Sequence, residues 1–363
     1  MNPAGPPLSI VQLVDDLNAG GLERFAIDLA IAHRQAGHPS AIVCLGQPGT
    51  LAAQAEAAGI PVEALGKPPG LHFPTLLKLR RILGDRRADV IHAHNPGVHH
   101  YAALAAKLAG VPVVVNTRHG VSSSTGARYS ERYFKPALRF TSKVIYVSRD
   151  SERYYTSQGI VPAAQGVTIW NGIPLARFLH APRPPRPPGS PLRLVTLGRL
   201  VPVKNHALLL EAFAQTEGAE LRIWGDGPLR ADLEAQIDRL HLRGRAFLPG
   251  HTSDSAAALA DADAFVFSST MEGLPMVILE ALASGLPIIS TPVGGVPEVA
   301  PEDEVAWYAE PEKYAATLRT ALASGELESR GRRARELAIA NYSIEAVQQK
   351  HEALFRQLLA AAR

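Results

Sequence analysis

Six of the eleven residues in APRPPRPPGSP, Ala181 to Pro191, are proline. Such a run lacks both the amide donors and the backbone freedom that a helix or a central strand needs, so it reads as an extended, semi-rigid connector. On either side of it the same rhythm repeats. Before it, short apolar runs are expected as strands at Ile10 to Val14, Ala41 to Leu45, Val90 to Ala93, Val113 to Thr117, Val144 to Val147 and Val167 to Trp170. Segments with helical spacing lie between most of them: Leu22 to a C-cap at Gly37, Phe73 to Arg87, His99 to Leu108 and Arg149 to Ser157. After it, strands are expected at Leu194 to Leu197, Leu221 to Trp224, Ala264 to Phe267 and Ile288 to Ser290, with helices at His206 to Gln215, Leu229 to Leu240 and Met276 to Ser284. Alternation of this kind gives a parallel sheet covered on both faces, with ligands at the carboxyl ends of its strands. The expected organisation is therefore α/β. It comprises one doubly wound domain over 1–180, the linker 181–191, a second domain over 192–342, and a C-terminal amphipathic helix over 343–363 that packs on one of them.

A chain of 363 residues fits two domains of ordinary size, and an apolar fraction of 46% excludes a disordered or fibrous class. One cysteine, Cys44, cannot form an internal disulfide, which points to a reducing compartment. The start, MNPAGPPLSIVQLVDDL, has neither a basic n-region nor a long apolar core, and no uncharged apolar run reaches the ~18 residues of a spanning helix. A cytoplasmic protein is expected, lying at most on a membrane surface. Charge is unevenly spread: residues 1–189 hold 20 Lys and Arg against 11 Asp and Glu, a net of +9, whereas the remainder holds 17 against 23, a net of −6. The basic half is suited to a negative surface. LLKLRRILGDRR (Leu76 to Arg87) and ARYSERYFKPALRF (Ala127 to Phe140) join cations to Leu, Tyr and Phe as a lipid-facing segment would, or are simply solvated faces. Nucleic acid is disfavoured because no recognisable binding motif accompanies the charge.

Several motifs fall at strand ends. Gly20 and Gly21 open the first helix, where backbone amides can approach a phosphate or merely turn the chain; NAGGLER is not the dinucleotide fingerprint. Arg199 and Lys204 in LGRLVPVKNH can clamp a diphosphate or be two surface charges. MEGLPMVILEALASG carries two acids, Glu272 and Glu280. Glu280 is the one charged residue between Gly273 and Pro297, so inside that apolar helix it requires hydrogen-bond donors, such as ribose hydroxyls or neighbouring backbone. Gly294 and Gly295 follow the next strand and can bring more amides to the same edge. His92, His94, His99 and His100 cluster as a metal site might, but no acid or cysteine lies nearby to complete it. His119 stands at the end of another strand.

Taken in order, the Gly-Gly loop, DVIHAHN, NTRHG, VSRDS, WNGI, GRL with Lys204, WGDGP and EGLPMVILEALASGLPIISTPVGGVPE resemble the retaining glycosyltransferases of the GT4 family, over nearly the whole chain. The two-acid segment looks like that family's EX7E motif. The resemblance implies the GT-B fold, two Rossmann-like domains facing each other across a cleft, the first receiving the acceptor and the second holding the nucleotide sugar. By position it implies that Arg199 and Lys204 neutralise the leaving diphosphate and that Glu280 holds the ribose. Glu272, with the amides of Gly273, Leu274 and Pro275, would hold the donor sugar; Gly20 and Gly21 would approach the diphosphate, and His119 would touch the transferred sugar. Gly225, Gly227, His251 and Glu298 fall in donor-binding segments, the first three near the base. It implies no cofactor and no bound metal, a UDP-, GDP- or ADP-linked hexose as donor, and a saccharide or lipid-linked saccharide acceptor in polysaccharide or lipopolysaccharide assembly. Two other classes remain: a sugar-nucleotide epimerase of the same fold, which would alter the donor without an acceptor, and a non-catalytic binder.

Overall fold

The computed structural model describes residues 5–18, 20–120, 132–179, 187 and 189–362. The chain divides into two compact units, Met1–Gly172 with Ile344–Arg363, and Ile173–Ser343. Most of the proline-rich connector, and residues 127–131 of the basic aromatic segment, lie outside the described residues. The division falls before residue 180 because Ile173 is tied into the second unit: its amide donates to the Tyr342 carbonyl at 2.9 Å, and it bridges to Ser343.

The first unit is built on seven strands: β1 (Ile10–Val14), β2 (Ser40–Cys44), β3 (Val62–Ala64), β4 (Val90–His94), β5 (Val113–Arg118), β6 (Lys143–Tyr146) and β7 (Gly166–Thr168). Their order is β3-β2-β1-β4-β5-β6-β7, every neighbour pair parallel. β1, β2, β4 and β5 are buried along their whole length. That explains their unbroken apolar runs, since helices cover both faces of a parallel sheet. The chain order reverses between β1 and β4, and such a switch point opens a crevice at the carboxyl ends of the strands. The C-terminal helix Ile344–Ala362 belongs to this unit and packs on helix Gly21–Gln35, with Phe355 fully buried. Burial of such a ring contributes about 2 kcal/mol.

The second unit repeats the plan with six strands: β8 (Leu192–Leu197), β9 (Ala219–Trp224), β10 (Ala246–Gly250), β11 (Ala264–Phe267), β12 (Ile288–Ser290) and β13 (Ala306–Tyr308). Their order is β10-β9-β8-β11-β12-β13, again all parallel, with the switch point between β8 and β11. Strands β3, β10 and β13 and the helices Ala52–Ala57, Ser255–Ala260, Tyr314–Ala323 and Leu327–Asn341 add to the elements read from the sequence. No helix among the described residues is long and apolar enough to cross a membrane.

Candidate active site

At the carboxyl edge of the second unit, two loops hold the cations and acids that the sequence singles out. The loop after β8 runs Gly198, Arg199, Leu200 and is pinned to the loop after β9 by amide-to-carbonyl bonds from Gly198 to Trp224 and from Leu200 to Asp226, both 2.9 Å. Gly225 makes that contact possible. Its φ is +143°, and a Cβ there would lie 1.9 Å from the Gly198 carbonyl oxygen. Gly225 and Gly227 thus act on the site by letting the Arg199 loop close on its neighbour. The Arg199 side chain is exposed.

A short 3-10 turn, Pro202–Lys204, then brings Lys204 back over the sheet edge. The loop after β11 is strapped to that turn: the Thr270 amide donates to the Val203 carbonyl at 2.9 Å, and the Ser268 hydroxyl donates to the Lys204 and Asn205 carbonyls. The result is an ion pair between residues 68 apart in sequence, Lys204 Nζ to Glu272 Oε1 at 2.6 Å, with side chains 18% and 14% exposed. Charges this well covered are costly to leave unpaired, so either partner alone would recruit an opposite charge. Lys204 has three donors and spends one on Glu272, which leaves capacity for an anion.

Glu272 is held from behind by the β12 loop. The Gly295 amide donates to the Gly273 carbonyl at 2.6 Å, and Gly294, at φ +52°, sits so close that a Cβ would lie 2.3 Å from the Glu272 carbonyl oxygen. This corrects one sequence expectation, because the Gly295 amide buttresses the Glu272 turn instead of facing a ligand. A second correction concerns Pro275, which has no N–H to offer. It is the N-cap of helix Met276–Ala283, with no side-chain cap, so the first-turn amides of Met276 and Val277 have no acceptor within their own helix. Glu280 lies one turn in, 8% exposed. Glu298 sits half-buried in helix Val296–Val299, and His251 is exposed just past β10.

The first unit's edge is made of uncharged imidazoles. His94, at the end of β4, places Nδ1 2.9 Å from His119 Nε2 and Nε2 2.8 Å from Gln12 Oε1. His92 stacks on His94 with ring centroids 4.3 Å apart and reaches Thr117 Oγ1 at 2.6 Å. Burial lowers His92 and His94 well below the ordinary imidazole range, and burial together with neighbouring His351 pushes His119 down to about 3. The His119 backbone is steadied by its amide, which donates to Asn95 Oδ1 at 3.3 Å. Asn95 itself holds φ +67°. His99 turns away to Thr141 Oγ1, so the four clustered histidines do not converge, and no group of three or more metal-binding side chains occurs among the described residues. At the mouth of the first helix the Glu23 carboxylate lies over Gly20, which an incoming anion would have to displace.

Beside this edge is a pocket of about 400 Å³ whose polar lining includes Asp15, Glu23, Lys67, His94, Asn95 and His100. The sequence reading passed over Asp15, Lys67 and Gln12; the last had a signal, a lone amide inside the apolar strand IVQLV.

Comparisons with known proteins bear on both units. Residues 19–177 match the model described as Glycosyltransferase Family 4 and residues 181–336 the model described as Glycosyl transferases group 1. The chain is 29% identical over 240 residues to the UDP-Gal:alpha-D-GlcNAc-diphosphoundecaprenol alpha-1,3-galactosyltransferase of Escherichia coli, covering 61% of this chain and 62% of that protein. It is 33% identical over 236 residues to the GDP-mannose-dependent alpha-mannosyltransferase of Mycobacterium tuberculosis, covering 62% and 61%. Matches to curated relatives span from 25% to 73% of their lengths, and the chain covers 62% and 61% of the two relatives just named. Among solved structures, Anabaena Alr3699/HepE in complex with UDP superposes with a TM-score of 0.84 at 22% identity, over 96% of this chain and 100% of that one, which establishes the shared GT-B fold. With one family model on each unit and relatives of the same kind, the chain belongs to the GT4-type glycosyltransferases.

Proposed function

We propose that the protein is a retaining glycosyltransferase that moves a hexose from a nucleotide-diphosphate sugar to an acceptor hydroxyl, in the assembly of a cell-surface polysaccharide or glycolipid. The observation that carries this reading is the Lys204–Glu272 pair at the β8–β11 switch point, next to the uncapped start of helix Met276–Ala283. Breaking the bond from the anomeric carbon to phosphate puts negative charge on the diphosphate and positive charge on the ring. Lys204, Arg199 and the Met276 and Val277 amides meet the first charge, while Glu272 holds hydroxyls of the sugar. A preorganised donor of this kind lowers a barrier by about 3 kcal/mol. The chain's own groups take up the leaving charge, so the reading invokes no cofactor and no metal. Glu280 takes the ribose, and His119, kept neutral, takes a sugar hydroxyl without adding charge.

Relatives named for UDP-galactose and GDP-mannose leave the base of the donor open, and the diphosphoundecaprenol acceptor in one of those names supports a lipid-linked acceptor here. Incubation with UDP-, GDP- and ADP-hexoses, with and without saccharide acceptors, tests the proposal. Acceptor-dependent release of one nucleoside diphosphate is expected, with the anomeric configuration of the donor kept in the product. A donor isomerised in the absence of acceptor would show an epimerase, and no turnover of any donor would overturn the reading.

A further inference from the structure

The two hydrogen bonds that join Gln12, His94 and His119 have a direction, and it decides what His119 offers a ligand. Gln12 is the third residue of β1, in register with His92 on β4, and is fully buried. Its Oε1 lies 2.8 Å from His94 Nε2, and its own Nε2 has no partner among the described residues. A carbonyl oxygen only accepts, so the proton between the two belongs to His94 Nε2. A neutral imidazole carries a single N–H, which leaves a lone pair on His94 Nδ1. The group 2.9 Å from that lone pair is His119 Nε2, so His119 Nε2 carries the N–H that donates to it. The nitrogen left over, His119 Nδ1, is then an acceptor, and no described residue bonds it.

The direction holds only while both imidazoles are neutral. Burial keeps them so: it lowers His94 well below the ordinary range and, with His351 nearby, pushes His119 down to about 3. The rings are also held in place. Buried Phe25 meets both of them edge-on, with centroids 6.3 Å from His94 and 5.6 Å from His119, and His92 stacks on His94. Behind His119 the backbone is fixed by its own bond to Asn95 Oδ1 and by Asn116 Nδ2, which donates to the Asn95 carbonyl at 2.9 Å. An amide buried in the apolar strand IVQLV is costly, since Val or Leu would pack there without a polar group to satisfy. The one hydrogen bond it makes in return is the one that orders the histidines.

We infer that Gln12 and His94 are positioning residues that fix the tautomer of His119, so that its Nδ1 lone pair accepts a hydrogen bond from a hydroxyl of the donor sugar. The hydroxyl rests on the glycosyltransferase reading; the tautomer does not. The consequence is a specificity. The sugar position that meets His119 needs an O–H, and a substituent that only accepts, such as fluorine, sets one lone pair against another.

Nitrogen NMR shifts of isotope-labelled histidine tell a ring nitrogen that carries hydrogen from one that carries a lone pair, and so read the relay directly. At neutral pH the wild type shows His94 and His119 both with hydrogen on Nε2 and a lone pair on Nδ1. In Gln12→Met, which keeps the length of the side chain and removes the acceptor, the two nitrogen shifts of each ring move toward one another as the tautomers mix. Hydrogen on His119 Nδ1 in the wild type overturns the inference whether or not the variant folds, and shifts left unchanged in a folded Gln12→Met overturn the part given to Gln12. The sugar is tested separately, with nucleotide hexoses in which one hydroxyl at a time is replaced by fluorine. At one position fluorine lowers kcat/KM roughly tenfold, and that penalty shrinks in Gln12→Met and vanishes in His119→Ala. The absence of any penalty that His119→Ala removes overturns the hydroxyl contact. No turnover of any nucleotide sugar, with the shifts as expected, removes the glycosyltransferase reading and leaves the relay standing.

Discussion

The two units share a strand order and differ in what they place at its switch point. In the second, covered charges and helix-start amides gather at the edge: Lys204 on Glu272, with Met276 and Val277 beside them. In the first, the corresponding edge is a run of neutral imidazoles, His92, His94 and His119, continued by His351 from the C-terminal helix, whose ring centroid is 5.4 Å from that of His92. One architecture is thus specialised twice. An edge of fixed charge suits a diphosphate whose charge grows in the reaction. An edge of uncharged donors and acceptors suits hydroxyls that must be oriented without attracting the nucleotide.

Acid should separate the units most strongly. Burial lowers His33, His92 and His94 well below the ordinary range, holds His99 and His119 near about 3, and holds His351 near about 4, although a backbone hydrogen bond to Val347 opposes the last. The unfolded chain binds protons at these groups near pH 6.5 and the folded unit does not, so stability present above that pH is lost as pH falls toward about 4. Each imidazole kept neutral gives up about 1.4 kcal/mol per pH unit in that window. Among the described residues of the second unit, one histidine is shifted in this way, His206, to about 4. Hydrogen exchange, corrected for intrinsic rates, should show residues of the first unit losing protection first between pH 6.5 and 4.5. Simultaneous loss in both units would break the contrast.

Next in size is Lys204→Ala, expected to lower kcat by roughly a hundredfold to a thousandfold, a far larger effect than the loss of melting temperature that follows from leaving Glu272 without its partner. An unchanged rate removes the diphosphate from this edge. Gly225→Ala forces a Cβ onto the Gly198 carbonyl at φ +143° and should cost about 2 kcal/mol in stability, with nucleotide affinity lost as the Arg199 loop shifts. Chemical denaturation and a nucleotide titration check the two parts. Smallest is Glu280→Gln, which keeps shape and, if Glu280 takes the ribose as proposed, weakens that bond; nucleoside diphosphate affinity should then fall about tenfold.

The sequence disclosed the interior of each sheet because β1, β2, β4 and β5 are buried on both faces and their residues say so locally. The short strands were harder. β3 reads VEA and β10 reads AFLPG, half-exposed at sheet edges where polar residues and proline are tolerated, so neither has an apolar run to find. The candidate site divides in the same way. Glu272 and Glu280 stood out as acids beside an apolar helix, but their partners did not. Lys204 reaches Glu272 only because Ser268 and Thr270 strap one loop to another, and His94 reaches His119 only because β4 and β5 are neighbours. Gly294 looked like an amide offered to a ligand and Gly225 like part of a donor-binding segment, whereas their missing Cβ atoms are what the neighbouring loops require. Contacts at long sequence separation leave no periodic trace.

The central claim, that the β8–β11 edge of the second unit grips a diphosphate through Lys204, is tested most directly by calorimetric titration of nucleoside mono- and diphosphates of uridine, guanosine and adenosine into wild type and Lys204→Ala. The account expects one base to be preferred, its diphosphate to bind wild type at least roughly tenfold more tightly than its monophosphate, and that difference to collapse in the variant. Equal binding of mono- and diphosphate, or a difference that survives in Lys204→Ala, would contradict it.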